Sequence, residues 1–156
     1  MQPASAARLR RALAVAALLL PGVAHAADGD YTGRWRTPPE PDGVDSTVEL
    51  YLQDDHLYGR VLQVRDRNGA EVLRRCERCD GARRGQPLAG MVFIENLHRD
   101  GERWIGGRVI DLRPGMTQGV TGTVEISLDH GRAVVYGYKG LHMLGESSTW
   151  TRADGD

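Results

Sequence analysis

The only two cysteines of the chain, Cys76 and Cys79, sit three apart inside the arginine-rich run LRRCERCDGARRG, residues 73–85. Three chemistries use such a pair. A thiol oxidoreductase places C-x-x-C at the start of a helix, where the dipole lowers the pKa of the first thiol. Here Gly81 follows almost at once and no helical pattern continues, although the flanking arginines have the sign needed to stabilise a Cys76 thiolate. Structural zinc takes four ligands, of which one C-x-x-C supplies two. The histidines His56, His98, His130 and His142 show no paired spacing to supply the others. In an oxidising compartment the default is a disulfide. That clip is favoured over a redox or metal role, and a loop so small is worth about 2 kcal/mol. It is expected to stiffen one turn, not to hold the protein together.

No other catalytic signature is present: no H-E-x-x-H, G-x-S-x-G, Walker loop or dinucleotide glycine fingerprint. The expectation is a protein that is not an enzyme, with no catalytic residues, cofactor or metal. Thiol–disulfide activity through Cys76 is the alternative.

The compartment follows from the first residues. Arg8, Arg10 and Arg11 precede the apolar run Ala12–Leu20, then Pro21-Gly22 and Ala24-His25-Ala26. A charged region, an apolar region and an A-x-A site together read as a secretory signal. The run is under half of the roughly 20 residues a spanning helix needs. Residues 1–26 are therefore expected to be cleaved, leaving one domain over 27–156, periplasmic or secreted, with no transmembrane segment. Removing the three signal arginines from the 20 basic residues leaves 17 against 21 acidic ones, a net charge of −4. Five arginines gather between Arg74 and Arg84 against Glu77 and Asp80, so the rest of the body is acidic. An acidic body argues against nucleic acid as a partner.

After the signal, period-two runs alternate with turn residues at regular spacing, which predicts an all-β barrel in preference to an open sandwich. The strands read as Tyr31–Arg36, Thr47–Gln53, Leu57–Arg65, Gly90–His98, Arg103–Leu112, Thr117–Leu128, Arg132–Tyr138 and Ser147–Arg152. A hairpin at Asp54-Asp55 sets Leu52 opposite Leu57, Val48 opposite Val61 and Glu49 opposite Arg60. A turn at Asp100-Gly101 sets Leu97 opposite Trp104 and Phe93 opposite Arg108. A three-residue loop ending in Gly131 pairs Ile126 with Val134 and Val124 with Tyr136, keeping one face apolar. An eight-stranded antiparallel up-and-down barrel then has its three tight turns at one end and long loops at the other, the shape of a cup.

Within that cup a second constellation appears. Glu95 and, diagonally, Arg108 share a face with Met91, Phe93, Leu97, Trp104 and Ile110. If the face is inward, Phe93, Glu95, Trp104, Arg108 and Tyr136 line a site for an apolar or amphipathic small ligand, with the charged pair orienting its polar end. If it is outward, Glu95 and Arg108 are a surface ion pair and Val92, Ile94, Ile105 and Val109 fill the core. An eight-stranded barrel can also be filled by its own side chains. Such a protein would bind an envelope partner through apolar mouth loops instead.

The two ends of the domain read TGRW and TWTR. Gly33-x-Trp35 resembles the first-strand motif of lipocalins and related calycin barrels. That resemblance implies that Arg152, on the last strand, packs on Trp35 and seals the closed end. An ordered set of motifs covers nearly the whole domain: Gly33-x-Trp35, Tyr58–Val61, Cys76/Cys79, Pro87–Met91, Trp104-x-Gly106-Gly107, Val109–Asp111, Gly137-Tyr138-x-Gly140, Leu144-Gly145 and Trp150-x-Arg152. The order resembles domain-of-unknown-function family 2147, small exported bacterial proteins, and implies a lipocalin-like barrel without a known reaction. One departure stands out. Where the family continues from the aspartate as DP to a GK-x-Y segment, this chain has Leu112 after Asp111, with Met116 and Gln118 near the lysine and tyrosine positions.

Overall fold

The computed structural model describes residues 31–153, so the expected signal, residues 1–26, lies outside the described residues. Eight strands run in order: β1 Gly33–Arg36, β2 Asp45–Gln53, β3 His56–Arg65, β4 Val92–Asp100, β5 Arg103–Ile110, β6 Thr121–Asp129, β7 Arg132–Tyr138 and β8 Glu146–Arg152. Each pairs antiparallel with the next and β8 returns to β1, so the sheet closes into an up-and-down barrel. Closure removes the unpaired edges that a strand sequence this apolar would otherwise expose. The expected start of the sixth strand at Thr117 is corrected to Thr121. Residues 117–120 form a turn instead, in which the Val120 amide donates to the Thr117 carbonyl at 2.9 Å.

The β2–β3 hairpin has the register its alternation dictates: Leu52 faces Leu57, Val48 faces Val61, and Glu49 faces Arg60 with their side chains 2.6 Å apart. Its loop residues Asp54 and Asp55 both have positive φ, the mirror-image turn whose twist matches the strands. The other two hairpins differ from expectation. The β4–β5 turn is Gly101-Glu102, because Asp100 stays in the ladder opposite Arg103 and Gly101, at φ 60°, takes the first central position of a II′ turn. The ladder slides by two residues, so Glu95 lies directly opposite Arg108 and Arg99 opposite Trp104. The β6–β7 loop has two residues, His130 and Gly131, both at positive φ. Ile126 therefore faces Val135, and Val124 faces Gly137.

Burial along β6 shows which way the walls face. Val124 and Ile126 are fully buried between the partly exposed Thr123, Glu125 and Ser127. Following the ladders from those two residues puts Gly107, Trp104, Gly137, Val135, Ala133 and Trp150 inside. Two irregularities complicate β4. The register shifts beside Gly59, and Asn96 has φ 59°. Ile94 and Leu97, three apart, are both fully buried, while Asn96 is exposed. Phe93 is buried too, with its ring 6.3 Å from that of Trp150.

The middle of the bore is packed: Leu50, Ile94, Leu97, Val124, Ile126 and Ala133 are fully buried, while the inward Val135 keeps 7% of its surface. At the end with the tight turns, Tyr31 packs edge-on against Trp104, and its hydroxyl donates to the Glu102 carbonyl. The Trp35 indole donates to the Tyr31 carbonyl at 2.8 Å, and the Arg152 guanidinium lies 3.9 Å above the Trp35 ring. Gly33, at φ 108°, lets the chain bring that guanidinium close: a Cβ there would stand 3.2 Å from Arg152 Nη1.

Candidate functional site at the open end

The residues expected to line a cup do not meet in one. Phe93 and Trp104 belong to the packed interior, where both are buried. Glu95 and Arg108 face outward: the Arg108 Nε donates to Glu95 at 2.9 Å, and Arg83 from the β3–β4 loop reaches the other carboxylate oxygen at 2.7 Å. Tyr136 is also on the outer wall, opposite Glu125. Its hydroxyl donates to the His142 carbonyl and accepts from the Gly145 amide at 3.0 Å, which pins the β7–β8 loop to the wall. The faces change for separate reasons: Asn96, at φ 59°, breaks the alternation of β4, Gly106, at φ 68°, breaks that of β5 between Trp104 and Gly107, and the two-residue β6–β7 turn sets Tyr136 opposite Glu125.

The long β3–β4 loop is itself a folded element. Cys76 donates to the Gln86 carbonyl and Leu88 to that of Arg74, at 2.9 and 2.8 Å, in a small hairpin-like ladder. Cys76 and Cys79 are joined as a disulfide, and both are within 1% of complete burial. The pair belongs to the same buried core cluster as Leu88 and Met91, so the clip sits in the core as well as stiffening its turn. Two of the arginines around it meet acids distant in sequence: Arg74 meets Asp42 at 2.5 Å and Arg83 meets Glu95.

The other loops of this end are tied to it and to one another. Gln118, buried, accepts from the Arg78 amide at 3.2 Å and donates to the carbonyls of Arg75 and Leu112 at 3.3 Å. Arg113 forks onto Asp111 at 2.8–2.9 Å and reaches Glu146, at the start of β8, at 3.0 Å. Burial alone would raise the Asp111 pKa, but hydrogen bonds from Arg113 and Thr117 outweigh it and hold the carboxyl below its ordinary value. The two carboxylates in turn raise the pKa of Arg113, so it is a permanent cation here. Glu40, in the β1–β2 loop, has the opposite balance: burial and the nearby Asp42 raise its pKa. Asp42 itself is lowered, first by the Val44 amide it accepts from, against slight desolvation, and then by Arg74.

Above this lacing lie apolar side chains with nothing covering them. Leu73, Met116, Leu141, Met143 and Leu144 are exposed large hydrophobics, Met116 and Met143 at 86% and 80%. They come from three loops of the same end, β3–β4, β5–β6 and β7–β8. Leu52 is the sole other exposed large hydrophobic among the described residues, and it is on β2. Sequence reasoning placed the long loops at this end and allowed for apolar mouth loops, but did not single out Leu73, Leu141, Met143 and Leu144. The available signal was GLHMLG, a run rich in leucine and methionine between Gly140 and Gly145 with no strand alternation to bury it.

Comparisons with known proteins fit this geometry. In structure the chain is similar to protein HP1028 from Helicobacter pylori, which is described as belonging to the lipocalin family. The TM-score is 0.66 at 20% sequence identity, covering 80% of this chain and 83% of that one. At that identity the likeness shows the fold, a lipocalin-type barrel. No curated protein matches the chain. A family profile described as "Uncharacterized protein conserved in bacteria (DUF2147)" matches residues 33–152, from the glycine of G-x-W to the arginine stacked on its tryptophan. The chain belongs to the DUF2147 family.

Proposed function

We propose that the chain is an exported, non-enzymatic binding protein of the cell envelope that holds an apolar or amphipathic group on the loop crown at the open end. The observation that carries this reading is the exposure of Leu73, Met116, Leu141, Met143 and Leu144 together at one end of the barrel. Contiguous exposed apolar surface on a soluble domain marks an interaction site. Eight-stranded barrels of this type can hold one small ligand inside or be filled by side chains. With the middle of the bore packed, the crown is the favoured place for an apolar group. Leucine and methionine suit the task, because methionine is flexible and polarizable and adapts to irregular partners. The lacing beneath keeps the tips in place before any partner arrives, which lowers the ordering cost of binding.

The thiol–disulfide alternative has less support. A catalytic cysteine must be reached by its substrate, and both sulfurs are packed under the β3–β4 and β5–β6 loops.

Native mass spectrometry of protein drawn from the periplasm tests the crown. A co-purifying lipid-sized or protein-sized mass is expected with the natural chain and is expected to be lost in Met143→Asp/Leu144→Asp, with the thermal transition unchanged. Equal retention by that variant, or no bound mass in either, would overturn the reading. The same intact mass reports export: it should begin at Ala27, and a chain retaining Met1 would argue against an exported protein.

A further inference from the structure

The outer wall of β1, β2 and β3, with Gly69 of the β3–β4 loop and Ala153 after β8, holds a groove of about 320 Å3 lined also by Arg34, Arg36, Thr47, Gln63 and Arg65. We propose that this groove binds a phosphate group, a phosphomonoester carried by a soluble compound or a lipid head. The ladder explains why cations collect here. Arg34 lies opposite Glu49, and Arg36 opposite Thr47, which in turn faces Gln63. Glu49, the carboxylate next to Arg34, is held by Arg60 on the far strand at 2.6 Å. Among the described residues, Arg34 and Arg36 make no ion pair, although most of the other described arginines do.

Among the described residues, two carboxylates approach the groove. Asp45 lies 3.8 Å from Arg65 Nε and compensates that one guanidinium, and Glu71 accepts from the Gln63 amide at 3.1 Å at the edge. Thr47 Oγ1 accepts from Arg65 Nη2 at 3.0 Å, which leaves the hydroxyl proton to donate into the groove. The wall thus presents two uncompensated guanidinium forks and a hydroxyl donor. A phosphomonoester carries about −1.5 to −2 charge at neutral pH with three acceptor oxygens. Guanidinium forks match such oxygens two at a time. A carboxylate would satisfy one fork, whereas a phosphomonoester satisfies both, and the groove has room for the group that bears it.

The test uses the purified chain in low salt with two probes: inorganic phosphate by titration calorimetry, and phosphatidylcholine vesicles doped with phosphatidic acid by flotation. The variants are Arg34→Gln/Arg36→Gln and a charge-matched control, Arg78→Gln/Arg132→Gln, all checked for an unchanged thermal transition. Saturable phosphate binding, at least tenfold weaker in the groove variant and unaltered in the control, supports the proposal with a soluble source. Flotation that depends on phosphatidic acid and is lost in the groove variant alone, with no response to inorganic phosphate, supports it with a lipid source. No binding to either probe, or equal loss in the control, overturns it. Repeating the flotation in the Met143→Asp/Leu144→Asp background separates this groove from the crown, because a phosphate site on β1–β3 keeps its response there.

Discussion

Gly119 sits where the β5–β6 loop meets the disulfide turn. Its φ is +86°, and a Cβ there would stand 2.4 Å from the Arg78 carbonyl oxygen and 2.9 Å from Cys79 Cα, both backbone atoms that cannot swing aside. Gly119→Ala combines left-handed strain with overpacking, each worth about 1–3 kcal/mol. It should destabilise the fold by about 2 kcal/mol or more in urea denaturation, and a change within error would mean the loops do not dock as described. The disulfide beside it gives a paired prediction. Replacing both cysteines by alanine should cost about 2 kcal/mol from the lost cross-link. Replacing both by serine should cost more, because each buried hydroxyl left without a partner adds about 1–3 kcal/mol. Equal losses would show that the sulfurs are not buried. The pairing was legible in the spacing, but the burial was not. A run of five arginines reads as wholly solvated, whereas two of them, Arg74 and Arg83, are held by Asp42 and Glu95 from other elements.

Strands and loops differ in how far local sequence determines them. The β2–β3 hairpin was readable because two constraints agree there: apolar residues on one face and Glu49 opposite Arg60 on the other. In β6–β7 the pattern misled, since Tyr136 counts as apolar in an alternation but its hydroxyl finds partners in the loop outside, and Gly137 takes the inward place. No period-two reading finds a bulge such as Asn96, because its positive φ is a tertiary outcome. The laced loops make an opposed pair of pH predictions. Asp111, with its folded pKa lowered, contributes stability above its ordinary value of 3.8 that is lost as pH falls through the folded value. Glu40, with its folded pKa raised above 4.5, opposes folding once it is charged, and that penalty fades as pH falls through the raised value. Glu40→Gln should therefore raise the urea midpoint at pH 7 and lose that advantage below about pH 4, where the unfolded carboxylate is protonated as well. A midpoint shift independent of pH would remove the electrostatic account. Arg113→Ala should lower stability at pH 7 and shrink the acid-side loss, because Asp111 then lacks its principal hydrogen-bond donor.

At the scale of the whole molecule, the barrel exists because β1 joins β8, and that seam is its shortest. β1 has four residues, and two registered pairs, Trp35 with Arg152 and Arg36 with Thr151, connect it to β8. A backbone ladder so short would fray by itself, so side chains must carry the closure. Trp35 is completely buried, and Arg152 both covers its ring at 3.9 Å and donates to the Thr32 carbonyl at 2.6 Å. The G-x-W spacing made this contact legible from the two chain ends, whereas the filling of the bore depends on how eight strands tilt and bulge together, which no single strand encodes. A cation–π contact of this kind is worth about 0.5–2 kcal/mol, and the arginine stem adds packing. Arg152→Ala should then cost about 1 kcal/mol or more, and a double-mutant cycle with Trp35→Phe should show coupling, not additivity. Hydrogen exchange locates the effect. The amides of β1 and β8 should lose protection in Arg152→Ala through local opening of the seam, while those of Ile94 and Val109, deep in the β4–β5 ladder, keep theirs. Uniform loss across all eight strands would show that the seam opens only with global unfolding, and additive mutants would show that Trp35 and Arg152 merely lie side by side.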